Sequence, residues 1–301
     1  MGYRILLYYF YTEIDDPEGY RDWQRELCER LGLKGRILVA REGINGTVSG
    51  TEEATEEYRQ VMDADQRTAG MEWKVDEAEG HAFPRLSVKA RTEVVTLGLG
   101  EEDFSPREVT GEYLNPVEWR EAMKEEDVVM IDARNDYEWE MGHFEGAVLP
   151  DVPSFRELPE WVEKNRELLE GKKILTYCTG GIRCEKFSGF LVREGFESVY
   201  QLHGGIVTYG KDEEARGEGF AGKCYVFDER IGVEVNRTEG ARVVARCQYC
   251  DKPCDRQVNC AWTRCNERFF CCERCEAEQE GFCCGVCREA VMMREVAVLG
   301  E

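Results

Sequence analysis

The stretch that decides the fold is ILTYCTGGIRCEKFSGFL, residues 174–191. Its apolar run predicts a buried strand that ends at Cys178, and a helix is expected to begin near Glu185. Between them, Gly180 and Gly181 give the backbone the freedom to form a tight loop. In parallel α/β sheets, ligands bind beyond the carboxyl ends of the strands. The stretch therefore places a cysteine where such a sheet binds its ligand.

The surroundings of Cys178 favour a negatively charged sulfur. Converging loop amides, a helix N-terminus and the cation of Arg183 all attract an anion. The pKa of the thiol should therefore fall, leaving a thiolate that can attack a substrate or carry a persulfide. A structural cysteine before a glycine turn is the simpler alternative, but it does not explain why loop amides, a helix N-terminus and an arginine all surround the sulfur. We predict Cys178 and Arg183 as catalytic residues, and a substrate-binding loop made of Thr179, Gly180, Gly181, Ile182 and Cys184.

The length of this loop indicates which kind of group it can bind. Arg183 follows Cys178 by five positions, whereas phosphatases of the C-x5-R type place the arginine one position later. The loop is therefore one residue short for a phosphate and better sized for a group bound to sulfur. Cys184 could resolve an oxidised Cys178, or it could only close the loop.

The rest of the chain divides into further segments of α/β and α+β type. Residues 112–220 alternate strand and helix in a βαβαβ pattern, which predicts a parallel sheet. Residues 1–98 predict a ferredoxin-like (acylphosphatase-like) α+β module whose last strand lies in FPRLSVKARTEVVTLG, residues 83–98. The glycines of REGINGTVSG fit a hairpin turn better than a ligand loop. Residues 99–111 are polar and predict a linker, and residues 221–301 form a third, Cys-rich region.

Eleven cysteines lie within residues 247–287, and three pairs have the C-x2-C spacing of tetrahedral thiolate sites. This density predicts two structural zinc ions, because neither ferredoxin spacing of an iron–sulfur cluster is present. The spacing does not fix how the cysteines pair. A plausible scheme gives the first ion to Cys247, Cys250, Cys272 and Cys275, and the second ion to Cys254, Cys265, Cys284 and Cys287.

The composition indicates where in the cell the protein is found and which classes of partner it can bind. A formal net charge of −22 argues against nonspecific affinity for nucleic acid or anionic membranes. The sequence contains no apolar run near the ~18 residues of a membrane span and no secretory signal, so we expect a cytoplasmic protein without a membrane partner. A reducing compartment would keep the fifteen cysteines as thiols or metal ligands. Residues 241–275 nevertheless hold seven basic and four acidic side chains, and KGRILVAR and FPRLSVKAR are also basic.

Three motifs carry a family resemblance: IDARNDYEWEMGHFEGA, YCTGGIRCEKF and LHGGI together resemble a rhodanese domain. With the N-terminal module, GFAGKCYVFDER and the Cys-rich tail, the form CTGGIRCEK resembles the tRNA uridine(34) hydroxylase family. The resemblance implies oxygen-dependent hydroxylation of the wobble uridine to 5-hydroxyuridine, with molecular oxygen as co-substrate and the tRNA anticodon loop as partner. The rhodanese upstream motif falls on Asp132, Arg134, Glu138, Gly142, His143, Gly146 and Ala147.

The chemistry leaves alternatives open. The sequence has no flavin fingerprint, and its three histidines are too widely separated to predict an iron site of two histidines and one carboxylate. One hypothesis is that Cys178 adds to carbon 6 of uracil and makes carbon 5 electron-rich enough to react with oxygen. The alternatives are a rhodanese-type sulfurtransferase that carries a persulfide on Cys178, and a non-catalytic RNA-binding or scaffold protein.

Overall fold

The computed structural model describes residues 2–265 and 267–298. The predicted N-terminal module includes residue 1, and the predicted Cys-rich region includes residues 266 and 299–301; these residues lie outside the described ranges. The strands are β1 (Tyr3–Tyr11), β2 (Lys34–Ala40), β3 (Gly43–Thr51), β4 (Lys74–Ala78), β5 (Leu86–Ala90), β6 (Glu112–Leu114), β7 (Val128–Asp132), β8 (Gly142–Phe144), β9 (Lys173–Tyr177), β10 (Val199–Leu202), β11 (Phe220–Tyr225), β12 (Gly232–Glu234), β13 (Gln257–Asn259) and β14 (Arg268–Phe270). The α-helices are α1 (Pro17–Arg30), α2 (Glu52–Ala64), α3 (Pro116–Ala122), α4 (Asp136–Trp139), α5 (Leu158–Lys164), α6 (Arg166–Leu169), α7 (Ile182–Arg193), α8 (Gly205–Lys211), α9 (Glu273–Glu278) and α10 (Gly285–Val298).

The N-terminal sheet has the strand order β4-β1-β3-β2-β5. The first four strands and the two helices between them reproduce the ferredoxin-like arrangement, which confirms that prediction. The Asp16 side chain caps α1 by accepting from the Gly19 amide, and the Thr51 side chain caps α2 by accepting from the Ala54 amide. Along β1, Leu6 and Tyr8 are buried in the core under the helices, and the alternate residues point to the opposite face of the sheet.

The structure differs from the sequence-based prediction of the fourth strand. That strand is β4, with the sequence KVDEA, whereas residues 83–98 contain β5, a fifth strand parallel to β2. Four of the five β4 residues are half-buried and the other is exposed. An edge strand with this polar composition lacks the apolar alternation by which strands are found in sequence.

The second sheet has the order β6-β10-β9-β7, and all three of its strand pairs are parallel. This confirms the predicted rhodanese-type α/β domain. Between β8 and β9 the helical segment is divided: α5 ends at Lys164, Asn165 has non-helical dihedral angles, and α6 follows. Cys178 comes directly after β9, so it lies at the carboxyl end of a central strand.

The Cys-rich region is joined to the rhodanese domain by a third sheet, in the order β12-β11-β8. Strand β11 pairs antiparallel with β8, which lies within the rhodanese motif. Beyond it, the β13–β14 hairpin, α9 and α10 enclose a small core of cysteines with Phe269. Within the described ranges, the helices are all too short or too polar to cross a membrane.

The N-terminal module docks on the rhodanese domain through a buried cation. Lys186 of α7 has a fully buried side chain, and its ammonium lies 2.9 Å from Glu42 and 3.0 Å from both Glu93 and Asp103. Removing one partner of such a buried ion cluster is strongly destabilising, because the remaining charges lose compensation. This junction holds the open face of the N-terminal sheet against the Cys178 loop.

Candidate active site

The loop after β9 aims backbone amides at the sulfur of Cys178. Helix α7 begins at Ile182, before the expected start near Glu185, so the sulfur lies directly at the helix N-terminus. Gly181 has a φ of 103°, a conformation that side-chain-bearing residues rarely adopt, and its amide donates a 3.2 Å hydrogen bond to Cys178 Sγ. Amides and a helix dipole together stabilise negative charge at the sulfur.

This environment makes Cys178 a thiolate. Burial by itself raises the pKa of the Cys178 thiol, but four effects outweigh it and lower the pKa to about 5. They are a hydrogen bond from the Cys184 thiol, the charge of Arg183, and the backbone amides of Cys184 and Gly181. The pKa of Cys184 is itself raised well above its usual value by burial and by the neighbouring Cys178. Cys184 therefore remains a thiol that donates to the thiolate.

This assignment predicts a pH dependence of the thiolate. Because the pKa of Cys178 is lowered to about 5, the sulfur should be ionised above that pH and protonated below it. The ultraviolet absorbance of the thiolate, taken as the difference between the wild-type protein and Cys178→Ala, should therefore disappear with a midpoint near pH 5. Replacing Cys184 with alanine removes one donor and should move the midpoint upward. A wild-type midpoint near the ~8.5 of a free thiol would contradict the assignment.

Arg183 is held by a carboxylate rather than left free for a ligand. Its guanidinium donates to both oxygens of Glu138, at 2.5 Å and 2.8 Å, and to Thr179 Oγ1 at 3.3 Å. The Glu138 side chain is completely buried. The sequence motif gives Glu138 no role, and only the fold brings its carboxylate to Arg183. Arg183 therefore acts on Cys178 through its charge and through the orientation of the loop.

The glycine pair of LHGGI forms the support of the loop. The amides of Ile206 and Val207 donate to the carbonyl oxygens of Cys178 and Thr179 at 3.0 Å and 3.1 Å. A side chain at Gly205 would lie only 2.7 Å from the Cys178 carbonyl oxygen, so the close approach requires glycine there. The start of α8 thus fixes the backbone from which the reactive sulfur projects.

Behind the loop, Asp132 and Arg134 of the upstream motif form a buried ion pair. Arg134 Nη2 lies 2.6 Å from Asp132 Oδ2, both side chains are fully buried, and the same nitrogen donates to the Gly142 carbonyl oxygen at 2.6 Å. His143 Nδ1 lies 2.8 Å from the Trp139 carbonyl oxygen, which agrees with a structural role for this histidine. These contacts tie the upstream motif to the base of the site.

The face of the N-terminal sheet covers the loop, which the sequence did not predict. Tyr9 donates from its hydroxyl to Glu185 Oε1 at 2.9 Å, and Tyr11 donates to the Ile182 carbonyl oxygen at 3.2 Å. A side chain at Gly180 would lie within 3.2 Å of Leu7. Cys178 is 0% exposed under this cover. The alternation of hydroxyl-bearing tyrosines in YRILLYYFY was the available signal of a polar face on β1.

A cavity adjoins the loop between the N-terminal sheet and the rhodanese domain. Its lining comes from both domains and from the β11–β12 connection: Leu7, Thr47, Lys74, Asp76, Thr179, Val207, Lys211, Val226, Phe227, Asp228 and Arg230. Thr179 follows the reactive cysteine directly, so the cavity reaches the edge of the loop. Phe227 is 44% exposed, which is unusual for so large an apolar side chain. The cavity therefore combines a mainly apolar lining with charged side chains and an exposed aromatic ring.

The tail holds two groups of four cysteines: Cys247, Cys250, Cys272 and Cys275, and Cys260, Cys265, Cys283 and Cys287. Within each group all sulfur atoms lie within 4.8 Å of one another. The Cys250–Cys272 sulfur distance is 3.8 Å and the Cys265–Cys283 distance is 3.6 Å. Four thiolates bonded to zinc at ~2.3 Å would be about 3.8 Å apart. The donor set therefore fits two tetrahedral ions.

The second group differs from the pairing scheme drawn from spacing, in which Cys254 and Cys284 occupied the places of Cys260 and Cys283. In the structure, the Cys254 sulfur lies 3.9 Å from the Arg256 carbonyl oxygen, outside both groups. Cys284 is exposed and its sulfur lies 3.6 Å from Cys287 Sγ at the edge of the second group, whereas the neighbouring Cys283 is buried and its amide lies 3.5 Å from Cys260 Sγ. The β13–β14 hairpin brings Cys260 to this group, a long-range contact that local C-x2-C spacing cannot reveal.

Three family models match successive parts of the chain. They are a UPF0176 acylphosphatase-like domain over residues 3–94, a rhodanese-like domain over residues 115–212, and a rhodanese C-terminal model over residues 221–288. These ranges coincide with the N-terminal sheet, the parallel sheet and the Cys-rich region.

Curated relatives match nearly the whole length. A tRNA uridine(34) hydroxylase of Bacillus mycoides (strain KBAB4) is 58% identical over 286 residues, which cover 95% of this chain and 89% of the relative. The protein of the same description from Bacillus cereus (strain AH820) is 58% identical over 294 residues, covering 98% of this chain and 92% of the relative. With this identity over all three regions, the chain belongs to the tRNA uridine(34) hydroxylase family.

Proposed function

We propose that this protein hydroxylates carbon 5 of the wobble uridine of tRNA to give 5-hydroxyuridine, with molecular oxygen as co-substrate and Cys178 as the nucleophile. The observation that carries the proposal is the Cys178 thiolate, held at the N-terminus of α7 in a chain closely related to tRNA uridine(34) hydroxylases. The substrate is the anticodon loop, whose unpaired bases can be turned out of their stack. A tRNA substrate also favours a cytoplasmic location.

The thiolate supplies the reactivity that the reaction requires. Its sulfur forms a bond to carbon 6 of uracil, and the electron pair of the 5,6 double bond moves to carbon 5 and the carbonyl oxygen at carbon 4. Carbon 5 then bonds to molecular oxygen as a peroxide. Two thiol molecules reduce the peroxide to a hydroxyl group and water and leave as a disulfide. Loss of the carbon 5 proton expels the Cys178 thiolate and restores the double bond.

The direct test uses purified protein, unmodified tRNA, oxygen and a thiol reductant, with the nucleosides measured by mass spectrometry. We expect 5-hydroxyuridine to form at the wobble position and to be absent when oxygen is excluded. The same protein is assayed for sulfur transfer from thiosulfate, because the loop amides would also stabilise a Cys178 persulfide. Sulfur transfer without tRNA hydroxylation would replace the proposal by the sulfurtransferase function.

The RNA-binding surface that we propose runs beside the cavity. A groove is lined by Arg36 of β2, Arg268 of β14 and Phe227, so it joins the N-terminal sheet to the Cys-rich tail. Arg268 Nη1 donates to the Tyr225 hydroxyl at 2.5 Å, which positions the guanidinium at the groove while the residue remains exposed. Arginines in such a groove can contact phosphates, and an exposed aromatic ring can stack on an unpaired base.

Replacing Arg264 and Arg268 with alanine should weaken tRNA binding and reduce its salt dependence. Each lost phosphate contact should flatten the log–log slope of affinity against salt by roughly 0.7–0.9, so the pair should flatten it by about one to two units. The measurement is tRNA affinity across a salt series. The control is Arg30→Ala with Arg59→Ala, on the helical face of the N-terminal module, and it should keep the slope. An unchanged slope in the Arg264/Arg268 variant would assign the RNA surface to another part of the protein.

We also propose zinc as the resident metal of the tail. Each group of four cysteines would hold one zinc ion through its thiolates. Bound zinc would supply structural stability, since four-cysteine sites leave no open position for a substrate. Cys254 and Cys284 are not needed as ligands in this arrangement.

A further inference from the structure

We propose that Lys74 is a further catalytic residue of this site, and that its ammonium group binds the carbonyl oxygen at carbon 4 of the substrate uracil. The inference rests on the proposed function, because it names the group that stabilises the charge created when Cys178 adds to carbon 6. It assigns part of the chemistry to the N-terminal module.

The position of Lys74 follows from strand register. Lys74 is the first residue of β4 and pairs with Leu7 of β1, so the two side chains share the sheet face that covers the Cys178 loop. Leu7 is the residue that approaches Gly180 within the loop. Lys74, Leu7 and Thr179 all line the same cavity. The sheet therefore brings an ammonium group to the compartment that adjoins the reactive sulfur.

Lys74 differs from the other charged residues of the cavity in having no partner. Asp76 is paired with both Lys211 and Arg230, and Arg230 also binds Asp228 at 2.7 Å. Among the residues that the structure describes, the ammonium of Lys74 forms neither a hydrogen bond nor an ion pair, and its one recorded contact is a cation–π contact with the Tyr9 ring, 5.0 Å from the ring centroid. The ammonium of this half-buried residue is therefore free to donate hydrogen bonds to a ligand in the cavity.

The electrostatics of the site agree with this role. Burial lowers the pKa of Lys74, while the negative charges of Glu72, Cys178 and Glu185 act in the opposite direction. The sulfur and the ammonium thus interact across the cavity edge. A hydrogen-bond acceptor of the substrate, bound between the sulfur and the ammonium, would give Lys74 a hydrogen-bonding partner.

The chemistry identifies which acceptor this is. When a thiolate adds to carbon 6 of uracil, the displaced electron pair is shared between carbon 5 and the carbonyl oxygen at carbon 4. A cation near that oxygen stabilises the charge as it develops, and it contributes most in a site from which water is excluded. Lys74 keeps its proton throughout, so the step requires no additional acid, base or electron donor.

The test compares Lys74→Met with Lys74→Arg. Methionine keeps the length and apolar stem of lysine but removes the charge, and arginine keeps the charge. Single-turnover hydroxylation at saturating tRNA should be about 10²–10³-fold slower in the methionine variant, the usual effect of losing one donor to a developing oxyanion. The arginine variant should recover part of this loss. The tRNA affinity and the thermal unfolding midpoint of both variants should match those of the wild type.

The control is Lys164→Met, at the exposed end of α5 and far from the cavity residues in the fold, which should hydroxylate at the wild-type rate. Full activity of Lys74→Met would overturn the inference, and so would a loss of activity that only follows a loss of tRNA affinity. Should Lys74→Met unfold, Lys74→Gln replaces it in the same comparison. A wild-type protein without hydroxylase activity would instead refute the proposed function, and the inference with it.

Discussion

Replacing Cys178 with alanine should nearly eliminate tRNA hydroxylation and should leave tRNA affinity close to that of the wild type. The rate should fall by roughly 10⁴-fold or more, as expected for loss of a nucleophile on which the other groups act. Binding should persist because the phosphate contacts lie in the groove of Arg36 and Arg268, whereas Cys178 is buried. Single-turnover hydroxylation and equilibrium binding of the same tRNA measure the two effects separately.

Two further variants make this result specific to the nucleophile. Cys178→Ser keeps the size of the side chain but replaces a thiolate by a hydroxyl group with a far higher pKa, so it should be nearly as inactive as alanine. Cys28→Ala removes another buried cysteine, one in the core of the N-terminal module, and should remain active if the fold is retained. Full hydroxylation by Cys178→Ala would show that the thiolate takes no part in the chemistry.

Local sequence was sufficient to predict the centre of the site. The strand, the glycine pair and the arginine of residues 174–191 are neighbours in the chain, and the forces that lower the pKa of Cys178 arise largely within that stretch. The same holds for the parallel sheet, whose buried strands are continuous apolar runs. Asp132 and Arg134 could also be paired in advance, because they are two residues apart.

The parts that sequence could not predict depend on contacts between distant segments. Glu138 reaches Arg183 only through the fold of the rhodanese domain, and Lys74 reaches the cavity only because β4 pairs with β1. The sequence did not predict β4, because an edge strand of mostly charged residues lacks the alternation of apolar and polar residues that identifies a strand. The cysteine grouping in the structure differs from the predicted one at Cys260 for the same reason, because the β13–β14 hairpin and not local spacing decides its neighbours.

The N-terminal module therefore does more than support the rhodanese domain. Its sheet covers Cys178 with Leu7 and Tyr9, and the buried Lys186 cluster fixes it in place. In this structure the sulfur is closed to solvent, so part of this cover has to move before any substrate can reach it. Exclusion of water from the site strengthens every electrostatic interaction with the reacting base.

Removing zinc should unfold the Cys-rich tail and leave the other two regions folded. Metal binding by zinc-finger peptides releases about 10–16 kcal/mol, which is more than a small cysteine core can replace. Residues 247–298 should lose protection from hydrogen exchange after chelation. The N-terminal sheet and the parallel sheet have their own large apolar cores and should retain protection. Elemental analysis should find two zinc ions per chain before chelation, and iron in their place, or no metal, would refute the assignment.

Single cysteine variants then decide between the two ligand schemes for the second ion. Cys260→Ser and Cys283→Ser should each lower the zinc content from two ions to one, because their sulfurs belong to the buried group. Cys254→Ser and Cys284→Ser should keep both ions, since neither sulfur belongs to a four-cysteine group. These pairs are matched controls, because each exchanges one sulfur for oxygen in the same small region. Loss of zinc in Cys254→Ser with retention in Cys260→Ser would favour the scheme drawn from spacing and would mean that the hairpin holds Cys260 for packing alone.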